Sequence, residues 1–429
     1  MQFQSTVKSS FVFLFTILMC LISSEVLANS TYTPLPDSTE ENVSERHPNT
    51  IPFSSDKSFG EHLLAFPSYL LHWSTRPFGW GIKFAEQKLP SLLQGERGPF
   101  GIYPLFELGG DAGSAYGFLA FHNQVTKYNH RARLEALFGS EDFNDFDFEY
   151  TIPKFISDQS RLIIDANYAN DPIKSLFGGN DSELIDESIF STEEFISEIK
   201  YRHNLSSKTI LGLSGRYHRM DIQQSDINDD EFPQVSENLR GVTSLITLGG
   251  TIRFDFVEGV PRTFSGSRYI LGFDWNRSLT DSRFHYLQYS LEWHQFLSLP
   301  FLPNSRRLAF KTHLQKSAPL GDREIPFYEF PTLGSSQDLR GFSTDRFRDD
   351  GSLLLTLEYR YPMWNFADVV LFVDEGQVFS RFKDIGINEF NTSYGFGFHL
   401  ISTKGFAFRS EFAFSKESSR VILTISPNF

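Results

Sequence analysis

The sequence predicts an all-β protein: a transmembrane antiparallel β-barrel of about 16 strands behind a short N-terminal helical capping segment. Three observations predict it. From Gly98 onward apolar residues recur with period two, in segments of roughly 10 to 15 residues, the length that strands tilted through lipid require. Aromatic residues are abundant, with 46 Phe, 16 Tyr and 5 Trp making 16% of the 429-residue chain, enough for a girdle at each membrane interface. The longest apolar stretch, Phe11 to Ile22, is interrupted by Thr16 and falls short of the ~20 residues a membrane-spanning helix needs.

Charge and cysteine content exclude several function classes. The chain carries 39 basic and 53 acidic residues, a net charge of −14, whereas neutralising a phosphate backbone needs a basic surplus. Nucleic acid is therefore not an expected partner. The single cysteine, Cys20, rules out a disulfide framework and any multi-cysteine zinc or iron–sulfur centre.

Along the chain, residues 1–28 have the layout of a secretory signal peptide. Lys8 precedes the apolar stretch, and Val26-Leu27-Ala28 places small residues at the −3 and −1 positions of a cut before Asn29. The alternative, lipid attachment at Cys20, is disfavoured by the bulky Leu18 and Met19 before it. Residues 29–60 are polar and proline-bearing, without hydrophobic period, and read as a flexible linker. Residues 61–97 are rich in Leu, Phe and Trp and cut by Pro67, Pro77 and Pro90. They read either as a cap on the barrel or as an amphipathic stretch at the membrane interface.

The barrel itself is expected over 98–429. Its strands are read at 98–109, 113–127, 130–139, 144–153, 160–170, 191–203, 207–222, 241–257, 266–278, 283–297, 305–317, 351–362, 366–377, 391–402, 405–415 and 419–429. An even number of strands returns both ends to one rim. The long connections, 171–190, 223–240, 318–350 and 378–390, then all fall on the other rim, and short turns such as Tyr128-Asn129 lie with the termini. That is the asymmetry of an outer-membrane barrel. The final strand ends on Phe429, in the manner of the terminal signal such barrels present to the assembly machinery. Pro427, without an amide hydrogen, would either weaken the closing ladder or merely mark the strand end.

Catalytic signatures are missing from the sequence: no HExxH, Gly-x-Ser-x-Gly, Walker loop or dinucleotide fingerprint occurs. No enzymatic activity, cofactor or metal ion is expected. His218 and His399 are expected as isolated lumen-wall residues. The acidic group Asp181, Glu183, Asp186, Glu187, Glu193 and Glu194, like Asp226, Asp229, Asp230 and Glu231, lacks the fixed ligand spacing of a calcium loop and reads as solvated loop charge.

The informative stretch is 318–376. It contains Leu339-Arg340-Gly341-Phe342, then Glu358-Tyr359-Arg360-Tyr361-Pro362, then Phe372-Val373-Asp374-Glu375-Gly376. Alternation alone turns Glu358 inward if Leu353, Leu355, Leu357 and Tyr359 face lipid. It turns Asp374 inward if Val369, Leu371 and Val373 do. Two inward carboxylates on neighbouring strands call for a cation, and a planar arginine suits both. Gly341 would allow a tight turn and a close approach to the wall.

In sum these motifs resemble the barrel domain of the BamA/TamA superfamily, the bacterial surface antigen family of outer-membrane proteins. The resemblance implies that 318–350 folds back into the lumen and that Arg340 pairs there with Glu358 and Asp374, with Phe342 and Gly376 in the same matched motifs. It implies the outer membrane of a Gram-negative bacterium, periplasmic termini, contact with outer-membrane lipid and lipopolysaccharide, and the barrel assembly machinery as partner during biogenesis. Better-known members carry POTRA domains before the barrel; residues 29–97 show no such pattern, so a barrel-only member is expected. The expected role is to assist insertion or translocation of polypeptide or lipid. The alternative is a passive pore or surface structural protein with a loop-plugged lumen.

Overall fold

A computed structural model describes residues 99–110, 113–139, 142–177, 187–225, 239–258, 265–299, 306–364, 367–401 and 407–426. The signal peptide, the linker, the capping segment, Pro427 and Phe429 lie outside the described residues, as do Asp181, Glu183, Asp186 and the Asp226–Glu231 group.

The described residues form eighteen strands: β1 (Phe100–Gly110), β2 (Gly113–His122), β3 (Arg131–Gly139), β4 (Asn144–Pro153), β5 (Ser160–Phe177), β6 (Glu187–Ser206), β7 (Thr209–Gln223), β8 (Gly241–Asp255), β9 (Gly266–Ser278), β10 (His285–Leu299), β11 (Arg306–Pro319), β12 (Thr332–Leu333), β13 (Phe347–Arg348), β14 (Gly351–Trp364), β15 (Ala367–Phe379), β16 (Asn391–Ile401), β17 (Ala407–Phe414) and β18 (Ser419–Ser426). Sixteen of them pair antiparallel, each with its neighbours in sequence, and β1 closes against β18. The two-residue strands β12 and β13 pair only with each other, inside the long connection from β11 to β14.

Period-two alternation does in this fold what it must. Leu134, Phe146, Phe148, Ile199, Leu248, Leu271 and Phe396 are exposed on the outer face, where lipid replaces water. Their sequence neighbours point into the lumen and are largely polar. Closure satisfies the backbone groups that an open sheet edge would strand in hydrocarbon. Both described ends lie at one rim, called here the terminal rim, and the long connections lie at the far rim.

Several boundaries differ from the sequence reading. The connection expected at 171–190 is mostly strand: β5 and β6 stay paired as far as Phe177 and Glu187, past an irregularity between Asp171 and Lys174. These strands are 18 and 20 residues long, against the roughly 9–11 needed to cross lipid, so the hairpin continues beyond the barrel wall. Polar side chains there misled the reading, because charge is tolerated on strands that have left the membrane. Conversely, the turn expected at Tyr128-Asn129 runs from Asn123 to His130, closed by a hydrogen bond from the Val125 amide to the His130 carbonyl at 2.9 Å.

The connection 320–350 crosses the lumen as a strap. Its first part is stitched to the β9–β10 turn, the Glu324 amide donating to Arg283 O at 2.8 Å. A 3-10 turn at Phe327–Glu329 packs on Phe190, Met220 and Ile222 of β6 and β7. The chain then turns back through the β12–β13 ribbon. At Gly334 (φ +106°) a Cβ would lie 2.2 Å from Ser343 O, so the neck of the ribbon requires glycine.

Candidate functional site: a lumenal arginine held by three strands

Arg340 sits at the tip of the strap, 4% exposed. Its Nε donates to Asp374 Oδ2 at 2.9 Å and its Nη2 to Asp374 Oδ1 at 2.8 Å, a bidentate pair on β15. Nη1 donates to Glu358 Oε1 on β14 at 3.0 Å and to Glu411 Oε1 on β17 at 3.1 Å. The guanidinium carbon lies 3.5 Å from the centroid of the Phe372 ring, so the cation is capped on one face by an aromatic quadrupole. Burial works against the charge, but Asp374, Glu358 and Glu411 outweigh it and push the guanidinium's proton affinity up. Arg340 is a fixed cation.

Register explains why three carboxylates converge. Glu358 is opposite Phe372, Phe372 opposite Gly395, and Gly395 opposite Ala413. One ladder step away, Val370, Gly397 and Glu411 are aligned. The two inward glycines of β16 form the floor. A Cβ at Gly395 would lie 2.5 Å from Phe372 Cζ, and one at Gly397 would lie 2.7 Å from Glu411 Cγ. The missing side chains let the Phe372 ring lie flat and let Glu411 reach across β16 to the arginine.

Each carboxylate has a second partner. Glu358 Oε2 accepts from Arg360 Nε and Nη2 at 2.9 and 2.7 Å. Glu411 Oε1 lies 2.7 Å from His399 Nε2. Asp374 Oδ2 accepts from Ser393 Oγ at 3.1 Å. Such further partners make a buried ion group tolerable, and Glu411 Oε2 has the charge of Arg409 Nε 3.7 Å away.

The strap is also tied to the β17–β18 hairpin. Gly341 O accepts from Ser415 Oγ and Ser418 Oγ, both at 2.7 Å, Phe342 O accepts from Arg420 Nη1, and Arg346 Nε donates to Glu417 Oε2 at 2.9 Å. A Cβ at Gly341 would lie 2.7 Å from Phe414 C, so the strap backbone rests directly on the hairpin backbone. Phe342 is fully buried, its ring 5.1 Å from that of Phe347. They form an apolar cluster with Leu333, Leu339 and Leu354. The methyls of Leu333 and Leu339 lie within 3.2 Å of where a Cβ at Gly376 would be, so Gly376 makes room for the strap against β15.

The sequence matches the Omp85 superfamily domain over residues 125–421. The chain belongs to the Omp85 superfamily. No curated protein matches the sequence. Among solved structures, this Omp85 barrel is similar in fold to BamA from Haemophilus ducreyi lacking POTRA domains 1–3, with TM-score 0.57 at 12% identity, over 80% of this chain and 77% of that one. It is also similar to CdiB from Acinetobacter baumannii (TM-score 0.52, 14% identity, 76% of this chain and 60% of that one) and to CdiB from Escherichia coli (0.54, 10%, 77% and 62%). The match thus spans about three-fifths of each CdiB chain. Membership places the protein among the outer-membrane β-barrels of Gram-negative bacteria.

Sequence reasoning singled out Arg340, Gly341, Phe342, Glu358, Asp374 and Gly376, and this Omp85 barrel brings all six together at the strap. It missed Glu411 and the glycine floor, and it quoted Phe372 within its motif without giving the ring a role. The signal was the inward parity of Gly395, Gly397 and Glu411 among outward Phe396, Phe398 and Phe412. Two histidines are corrected. Neither His218 nor His399 is isolated: His399 holds Glu411, and His218 Nδ1 lies 2.8 Å from Glu329 Oε1 while its Nε2 lies 2.9 Å from Glu194 Oε1. His218 of β7 thus ties the start of the strap to the wall through Nδ1, while its Nε2 lies beside the Glu194 carboxylate of β6. Glu187, Glu193 and Glu194 accordingly lie on strand β6 rather than in a loop. Among the described residues no cluster of His, Cys, Asp and Glu could hold a metal ion.

Proposed function

We propose that this Omp85 barrel assists the insertion or translocation of polypeptide or lipid at the outer membrane, working at the seam between β1 and β18, with its termini periplasmic. The observation that carries the reading is the place of that seam, where the first and last strands of the barrel meet to close it. Among the described residues Phe106, Glu107 and Leu108 pair with Ile425, Thr424 and Leu423. On its other side β1 pairs with β2 from Phe100 to Gly110, and β18 pairs with β17 over its whole length. The first half of β1 contains Pro104, which has no amide to offer a ladder. Where such a seam opens, each strand edge it exposes is a template for another strand. The strap grips the β17–β18 hairpin, so its docking supports the wall on one side of the seam. The role breaks no covalent bond and calls for no cofactor or catalytic group. Outer-membrane lipid and lipopolysaccharide are the proposed surroundings of the apolar outer face, and the barrel assembly machinery the proposed partner in biogenesis.

The strap itself favours a second reading, a passive or structural barrel with a plugged lumen. Glu107→Cys with Thr424→Cys separates the two, since these residues face each other across the seam. The variant is reconstituted in vesicles and given an unfolded small outer-membrane barrel, whose insertion is followed by heat-modifiable mobility. Faster insertion that stops on oxidation and returns on reduction supports the seam. Insertion indifferent to oxidation, or no acceleration over empty vesicles, leaves the plugged-lumen reading.

A further inference from the structure

The strap divides the lumen unequally. Its first part packs on β6 and β7, but from Leu333 onward it lies against β14–β18 and leaves a cavity of about 540 Å³ beside β1 and β3–β6, where Glu107, Asp145, Asp171, Glu187, Glu194 and Asp345 outnumber Lys174. Nearer the terminal rim, on the same side, the sign of the wall reverses. Arg131 opens β3, Arg161 lies one residue into β5, and Arg202 lies four residues from the end of β6. All three face inward by parity, since Leu134, Tyr168 and Ile199 of the same strands are exposed on the outer face. Arg161 and Arg202 are direct cross-strand partners. Next comes Gly212 of β7, which has no side chain to intervene, and then β8 with Arg253.

Neighbouring lumenal cations are neutralised within the wall. Arg133 pairs with Glu135 at 2.7 Å, Lys200 with Asp165 at 2.8 Å, Arg268 with Asp255 at 3.1 Å and Arg307 with Asp368 at 2.7 Å. Arg253 also pairs with Asp255. Arg131, Arg161 and Arg202 have no ion pair or side-chain hydrogen bond among the described residues, and all three are exposed. Arg161 feels the like charges of Arg202, Arg131 and Arg253 against the single opposing charge of Glu149. Like charges directly opposite each other on a sheet are destabilising. In a chain of net charge −14 guanidinium groups here outnumber, among the described residues, the carboxylates that face them.

We propose that the arc Arg131–Arg161–Arg202, continued by Arg253, is a docking surface for an extended acidic polypeptide segment presented at the terminal mouth. This deepens the proposed function by naming the chemistry of the polypeptide offered to the barrel, and rests on that reading for its purpose. The shape of the arc selects the partner. Strands lie ~4.8 Å apart, so β3 to β8 spans roughly 24 Å. A compact phosphate reaches one or two of these arginines. An extended peptide advancing ~3.3 Å per residue covers the arc with about seven residues, and carboxylates at every third position, ~10 Å apart, reach Arg131, the adjacent Arg161 and Arg202, and Arg253 in turn. Beyond the arc the acidic cavity repels the same chain, so the segment is held at the mouth rather than drawn through.

The test uses the purified full-length protein in detergent micelles and a fluorescent peptide of Gly and Ser with Glu at every third position, read by anisotropy. Binding is expected at low salt, weakening as salt rises, with no binding of the same peptide carrying Lys in place of Glu. Arg161→Gln with Arg202→Gln should weaken binding roughly tenfold, the loss of two exposed charge pairs. Arg131→Gln alone, at a strand end, should weaken it by a smaller factor and serves if the double variant folds poorly. Arg283→Gln, in the far-rim turn beside Asp281, should change nothing. Equal binding of the Lys peptide, displacement by inorganic phosphate at matched charge, or parental affinity in the arginine variants overturns the proposal. None of these readouts depends on insertion activity, so failure here is distinct from failure of the seam experiment.

Discussion

Replacing Arg340 by alanine tests how the strap is held, and the structure says where the cost falls. Glu358 keeps Arg360, and Glu411 keeps His399. Asp374 does not fare as well: it is fully buried and would retain only two neutral donors, the Ser393 hydroxyl and the backbone amide of residue 340 at 3.3 Å. The penalty therefore concentrates on one carboxylate, at about 3–5 kcal/mol for a buried charge that loses its partner. Loss of the Phe372 contact adds up to about 2 kcal/mol where the cation is desolvated. Against strap docking of ordinary marginal stability, this is enough to release the loop while the sixteen paired strands persist. The strap contains Arg346 and Arg348, of which Arg346 is 1% exposed, so trypsin acting from the far-rim side reports release by cutting there. Arg340→Ala should be cut much faster than the parent, with unchanged heat-modifiable mobility. Combining it with Asp374→Asn removes the orphaned charge, so the double variant should be cut more slowly than Arg340→Ala alone, a coupling of about 1–3 kcal/mol. Strictly additive effects, or parental resistance in Arg340→Ala, would refute the reasoning.

Two further perturbations address separate contacts. Gly341→Ala should loosen the strap by about 1–3 kcal/mol through overlap with the Phe414 backbone, seen as tryptic sensitivity with the barrel intact; parental resistance would show that the hairpin yields instead. The Glu329 clasp should depend on acid. Burial raises the carboxyl's proton affinity, but the hydrogen bond and charge of His218 lower it further, leaving the folded value below the ordinary 4.5. A depressed value means the contribution is complete above the unfolded value and lost as pH falls through the folded one. Hydrogen exchange of Phe327–Glu329 should thus stay slow down to the ordinary glutamate range and accelerate only below it, and Glu329→Gln should lack that step. An identical acid step in Glu329→Gln would assign it to another group.

Residue alternation along the chain was enough to read the barrel, its even strand number and the inward parity of Glu358 and Asp374. These are local properties: a strand's two faces alternate residue by residue, and lipid on one side forces apolar side chains to one parity. Glu358 and Asp374 could be assigned inward from Leu357 and Val373 alone, and a nearby cation followed from the cost of burying charge. Which inward residues share a height in the lumen was decided only by the tertiary structure. Arg340 and Glu411 are 71 residues apart, and His218 and Glu329 111. Their meeting depends on the register of every intervening ladder, and a shift of one residue would turn a strand's faces over. The same cause hid the glycine floor, because Gly395 and Gly397 look like ordinary small residues until Phe372 and Glu411 are laid across them. It also hid the arginine arc: Arg131, Arg161 and Arg202 are scattered in sequence, and only strand pairing gathers them at one rim, where among the described residues they form no ion pair.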